Sequence, residues 1–118
     1  MSGRELIALM PIAELREGER RAVAADGLAI LLVCVEGSVY AVDNRCSHAN
    51  AKLEAGRLRG HQIACPLHGA RFDVRTGRCE AAPATKPIRA FTVVLESGRI
   101  NIVRPQAEPL RPRFGPIN

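Results

Sequence analysis

The chain has no tryptophan, and its only aromatic residues are Tyr40, Phe72, Phe91 and Phe114. So sparse a set cannot supply the stacking platforms that grip single-stranded nucleic acid. No helix-turn-helix pattern or basic helix offers another route, so no nucleic-acid partner is expected. Long apolar runs are missing too. The stretch LIALM ends at Pro11, too short for a secretory core or a membrane span. No membrane association is expected, and the default compartment is the cytoplasm. A G-x-G-x-x-G fingerprint is also lacking, which argues against direct hydride uptake from a dinucleotide.

The 118 residues are 47% apolar, enough for one domain around a modest aliphatic core. Short strands and frequent turns set the pattern. Residues 6–10 read as a strand stopped by Pro11, and a single helical turn follows before Gly18. Residues 20–25 alternate weakly. LAILLVCV (28–35) is a continuous apolar run between Asp26-Gly27 and Glu36-Gly37, the mark of a central strand. Gly37-Ser38 is expected to turn the chain into strand 39–42. Further strands are expected at 71–74, at 91–96 and at 99–103, the last two joined across Ser97-Gly98. Seven to nine short strands with little helix predict an all-β antiparallel sandwich or barrel. Four prolines in residues 104–118 exclude a ladder strand or helix there, so an extended tail is expected after a domain of residues 1–103.

The densest chemistry lies in CSHANAKLEAGRLRGHQIACPLHG, residues 46–69, which holds two of the four cysteines and all three histidines. In a reducing cytosol such cysteines serve as metal ligands or buried thiols more readily than as disulfides. Cys46-x-His48 and Cys65-x-x-His68 each offer one thiolate and one imidazole. A structural zinc site usually draws on a close cysteine pair followed by a close histidine pair. Mixed pairs suit a two-iron cluster in which one iron takes both thiolates and the other both imidazoles. A zinc-stabilised binding module without a redox role stays open as the alternative of a different class.

Cys46-Ser47-His48 and Cys65-Pro66-Leu67-His68-Gly69 resemble the two ligand boxes of Rieske 2Fe–2S proteins. The resemblance extends to residues 39–44, to Leu53 and Gly56, and to Phe72-Asp73 with Thr76-Gly77. These are similar to small Rieske ferredoxins of bacterial ring-hydroxylating oxygenase systems. The resemblance implies one Rieske-type 2Fe–2S cluster on Cys46, His48, Cys65 and His68, held in a region of about residues 44–84. It also implies a cluster-binding subdomain formed by two loops. Gly69 would let the backbone turn so that amides face the bridging sulfides, and Pro66 would stiffen that loop. Pro83 matches a proline-containing loop that covers the cluster in the family.

The departures narrow the kind. Cytochrome-bc-type Rieske proteins carry an extra disulfide where this chain has Ala51 and Leu67. They also place serine and tyrosine hydroxyls where this chain has Ala70 and Phe72. Hydrogen bonds to the sulfurs stabilise the reduced cluster, so their loss predicts a midpoint toward the low end of the Rieske range, roughly −150 mV.

A Rieske oxygenase needs a second iron held by two histidines and a carboxylate. With His48 and His68 assigned to the cluster, His61 alone cannot build it, and it is read as a surface loop residue. Cys34 is read as a core residue and Cys79 as an inert thiol. The expected role is therefore a non-catalytic, monomeric one-electron carrier. Its expected partners are a flavoprotein NAD(P)H-dependent ferredoxin reductase and the terminal Rieske oxygenase of an aromatic-ring-hydroxylating dioxygenase system. A small Rieske subunit of an assimilatory nitrite reductase is the second redox reading. Net charge is +5, and residues 45–78 alone carry seven basic groups against Glu54 and Asp73. That span reads either as a solvated face or as a docking surface for an acidic partner.

Overall fold

A computed structural model describes residues 5–47, 51–67, 69–81 and 86–105. Among these residues every regular element is a strand or a 3-10 turn, and no helix is long and apolar enough to cross a membrane. The strands are β1 (Leu6–Pro11), β2 (Arg20–Ala25), β3 (Leu28–Val35), β4 (Ser38–Asp43), β5 (Leu58–Arg59) and β6 (Gln62–Ala64). They continue with β7 (Arg71–Asp73), β8 (Cys79–Ala81), β9 (Ala90–Phe91), β10 (Val93–Glu96) and β11 (Arg99–Val103). All pairings are antiparallel. They build three sheets, ordered β1-β11-β10, β2-β3-β4-β9 and β5-β6-β7-β8.

The central sheet is covered on both faces, which explains the unbroken apolar run of β3. Ile30, Leu32 and Cys34 point into one core with Met10, Ile100 and Ile102. Leu31, Val33 and Val35, one position out of phase, point into a second core with Leu53, Ile63 and Phe72. β4 repeats the division, with Ala41 in the first core and Val42 in the second. A strand buried on both faces loses the polar alternation of a half-solvated one.

Three two-residue hairpins set the register: Asp26-Gly27, Glu36-Gly37 and Ser97-Gly98, each with positive φ at both positions. This is the backbone that matches the twist of the flanking strands. The second turn lies one residue before the expected Gly37-Ser38, and Ser38 already pairs with Val35. The positive φ of Glu36 is held by Glu17, whose carboxylate accepts from the amides of Glu36 and Gly37 at 2.6 and 2.8 Å. Those two amides hold the Glu17 carboxyl below its usual range.

The expected strand 91–96 is two strands. Phe91 pairs with Ala41 of the central sheet, whereas Val93 pairs with Ile102 of the outer sheet, so the chain changes sheets at Thr92. The other additions, β5, β6 and β8, fall in the span between and after the two boxes. With β7 they form one four-stranded sheet, whose β6–β7 hairpin carries the second box. The 3-10 turn Ile12–Glu14 is the helical turn expected before Gly18.

Candidate metal centre

The first box leaves the end of β4 through Asn44, a buried polar residue that sequence reasoning did not single out. Its side-chain amide donates to Glu54 Oε1 at 2.6 Å, and the Glu54 backbone amide donates to Asn44 Oδ1 at 2.8 Å. This reciprocal clamp fastens the box to the 3-10 turn Leu53–Ala55, whose Leu53 is fully buried. The Cys46 amide then donates to the Ala51 carbonyl at 2.9 Å and closes the loop. An asparagine two residues before a cysteine box was the available signal, because a buried amide demands partners.

The second box caps the β6–β7 hairpin. Ala64 pairs with Arg71, and the Cys65 amide donates to the Ala70 carbonyl at 2.7 Å. Gly69 has φ +78, as a tight turn there requires, and its amide donates to the Cys65 carbonyl at 3.0 Å. The glycine therefore closes the loop on itself, in the tight turn expected of it. Pro66 is exposed, and Leu67 is 60% exposed at the outer end of the loop.

The segment 86–89 straps both parts together. Ser47 Oγ donates to the Lys86 carbonyl at 2.5 Å. The Arg89 amide donates to Asp43 Oδ2 at 2.7 Å, and the Arg89 guanidinium forms an ion pair with Asp43 at 3.0 Å. A groove of about 420 Å³ is lined by this strap, by Arg45, Cys46 and Ser47 of the first loop, and by residues 27–29.

Cys46 and Cys65 are 3% and 2% exposed and lie in one apolar cluster with Leu53, Ile63, Ala70 and Phe72. Two thiols thus arrive from different loops in one buried, aliphatic setting. Ala70 and Phe72 are fully buried beside them, so neither position offers a hydroxyl. His48, His68 and Pro83 lie outside the described residues. Thiols are soft donors suited to iron–sulfur chemistry, and exclusion of water around them fits a redox centre.

Two glycines quoted for the resemblance have steric reasons. A Cβ on Gly56 would overlap the Ala64 carbonyl just before Cys65, and one on Gly77 would overlap the Ile88 carbonyl. The Ile88 amide donates to the Gly77 carbonyl at 2.9 Å, so Gly77 lets the strap approach the subdomain.

His61 differs from the surface residue expected. Its side chain is only 19% exposed, its ring meets Tyr40 edge-on at 5.7 Å, and Nε2 lies 4.0 Å from Glu36 Oε1. It joins the cluster sheet to the β3–β4 hairpin. Cys34 is buried, and burial first, then the Glu17 charge, push its thiol up, away from the reactive thiolate. Cys79 is half-buried against the second core. Asp73 forms a fork with Arg75 at 3.0 and 2.8 Å, which holds its carboxyl below the usual range against the opposing effect of burial.

The Rieske [2Fe-2S] domain matches residues 5–92. The ferredoxin component of the naphthalene 1,2-dioxygenase system of Pseudomonas putida is 40% identical over 96 residues, covering 81% of this chain and 92% of that protein. The solved ferredoxin of carbazole 1,9a-dioxygenase from Nocardioides aromaticivorans superposes with a TM-score of 0.79 at 39% identity, over 86% of this chain and 98% of that one. A chain in the complex of reduced oxygenase and oxidized ferredoxin in carbazole 1,9a-dioxygenase matches at TM-score 0.80 and 28% identity, over 86% and 95%. The buried thiol pair, the loops that present it and these likenesses agree: the chain belongs to the Rieske [2Fe–2S] domain family, and its cofactor is a Rieske-type 2Fe–2S cluster.

Proposed function

We infer that this protein is the ferredoxin component of a bacterial ring-hydroxylating dioxygenase system, passing single electrons to the terminal oxygenase. The observation that carries the reading is the convergence of Cys46 and Cys65, from two loops, in one buried apolar cluster beneath an exposed loop end at Leu67. The relatives named as dioxygenase ferredoxin components, and the ferredoxin solved together with its oxygenase, support it.

The cluster supplies reversible one-electron chemistry when bound. In our reading Cys46 and Cys65 would hold one iron and His48 and His68 the other, which would leave the oxidised cluster neutral where four thiolates would leave it doubly negative. Leu53, Ile63 and Phe72 keep water from the thiolate side, and the Asn44–Glu54 clamp fastens the first loop to the 3-10 turn Leu53–Ala55. The electron donor would be a flavoprotein NAD(P)H-dependent reductase, and the chain itself would catalyse nothing. Cytoplasmic location and a monomeric state complete the proposal, with residues 1–103 as the domain and 104–118 as an extended tail.

The test is purification without air, visible and electron paramagnetic resonance spectra, and reconstitution with a dioxygenase reductase and terminal oxygenase. A coloured two-iron protein without which the oxygenase receives no electrons is expected. A colourless, zinc-containing protein would contradict the reading.

A further inference from the structure

The cluster sheet has two unlike faces. Pairing of Leu58 with Ile63, Ile63 with Phe72 and Phe72 with Cys79 sets these four on the core side. Pairing of Arg59 with Gln62 and Ala64 with Arg71 sets the alternate positions on the opposite, solvent side. The Ala64 amide donates to the Arg57 carbonyl at 2.9 Å, which brings Arg57 to the same end of the sheet as Arg71. Arg57, Arg59 and Arg71 together line one groove of about 250 Å³, with Gln62 and Ala64 as its floor.

Five other arginines among the described residues have side-chain partners, and these three do not. Arg20 and Arg21 donate to the carbonyls of Glu54 and Glu14, while Arg75, Arg89 and Arg104 pair with Asp73, Asp43 and Glu5. The side chains of Arg57, Arg59 and Arg71 make no hydrogen bond or ion pair among the described residues. Asp73 lies on the same face, opposite Gln62, but its two oxygens are held by Arg75. Three like charges sharing one groove repel one another, and a surface bearing carboxylates would relieve that repulsion through the forked geometry of guanidinium. The groove also adjoins the candidate centre: Arg71 directly follows Ala70, whose carbonyl holds the Cys65 amide.

We propose that the Arg57–Arg59–Arg71 face docks the acidic surface of a protein electron-transfer partner and brings it against the Cys65 loop. The proposal rests on the carrier reading above. The charge pattern favours a folded protein over an extended polyanion, because the positive face is one short sheet and not a long stripe.

The experiment uses cluster-loaded protein reduced with dithionite, and cytochrome c whose lysines have been succinylated as the acidic probe. One electron leaves the reduced protein and converts ferric haem to ferrous haem. For the wild type, the second-order rate should fall roughly tenfold between about 20 and 200 mM NaCl, as screening removes the attraction. R57Q/R59Q/R71Q should lower the low-salt rate about tenfold and flatten the salt dependence, while R16Q/R99Q, on exposed arginines elsewhere, should not. Sedimentation of the mixture should show weaker association of the triple variant. With the dioxygenase reductase and oxygenase, the triple variant should raise KM for this protein and keep kcat. A triple variant with an unchanged visible spectrum and the wild-type rate and salt slope would overturn the proposal. Tighter wild-type binding to phosphatidylserine vesicles or duplex DNA than to the acidic protein, lost in the same variant, would also overturn it. Failure of the carrier reading looks different: the wild type would then not support the oxygenase, whatever the cytochrome rates.

Discussion

The body and the cluster subdomain solve the same packing problem with different means. The body uses strands of up to eight residues, joined by two-residue hairpins, over a core supplied by Ile30, Leu32, Ile100 and Ile102. The cluster subdomain has strands of two or three residues, too short to stand alone, and a core that includes both candidate ligand thiols. Strand pairing is enough to specify the first. The second rests on the Asn44–Glu54 clamp, close glycine contacts and, in the reading proposed above, bonds to iron, so removal of the metal should be felt there and not in the body.

Cys46→Ser or Cys65→Ser should break the comparison open most widely. Iron content and visible absorption should vanish. Amide exchange should then accelerate across β5–β8 and stay slow in β1, β3 and β11. Equal acceleration in all three sheets would show that the subdomains are one cooperative unit.

A pair of neighbours on β3 sharpens the contrast. Leu31 and Leu32 are both fully buried but face opposite cores. Each substitution to alanine should cost about 2–5 kcal/mol in denaturant unfolding. Leu31→Ala, in the thiol-bearing core, should also shift the midpoint potential, whereas Leu32→Ala should leave it unchanged.

Glycines give the next step down. Gly77→Ala meets both a positive φ and the Ile88 carbonyl, and should cost about 3 kcal/mol. Gly98→Ala in the body has a positive φ but open space, and should cost only about 1 kcal/mol. Thermal unfolding of the two variants checks the difference.

The smallest effect concerns pH. Asp73 has a depressed carboxyl in the folded protein, chiefly through its hydrogen bond from Arg75. Its stabilisation is therefore present above the unfolded carboxylate value, about 3.9, and is lost as pH falls through the lower folded value. Asp73→Asn should be less stable than wild type near pH 7, with the gap closing below about pH 4. A gap that persists at lower pH would assign the effect to packing.

The same contrast governs what could be read from sequence. LAILLVCV announced a central strand, and Ser97-Gly98 announced its hairpin. The family was legible because the two boxes set certain residue types at certain spacings. β5, β6 and β8 were not legible, since two or three residues carry no period to count. Nor was the sheet change at Thr92, because strands in two sheets read as one apolar run. The bonds made by Asn44, Ser47 and Arg89 escaped because their partners Glu54, Lys86 and Asp43 are brought to them only by the fold. His61 was misplaced for the same reason, as Tyr40 and Glu36 reach it from another sheet.

The central claim is that two thiols and two imidazoles share one cluster. Pulsed electron paramagnetic resonance of the reduced protein, grown with 15N-histidine, tests it most directly. Two strongly coupled histidine nitrogens are predicted, both lost together with the cluster in Cys65→Ser, and one replaced in a His68→Cys protein that retains iron. A reduced cluster with no histidine coupling would contradict the account.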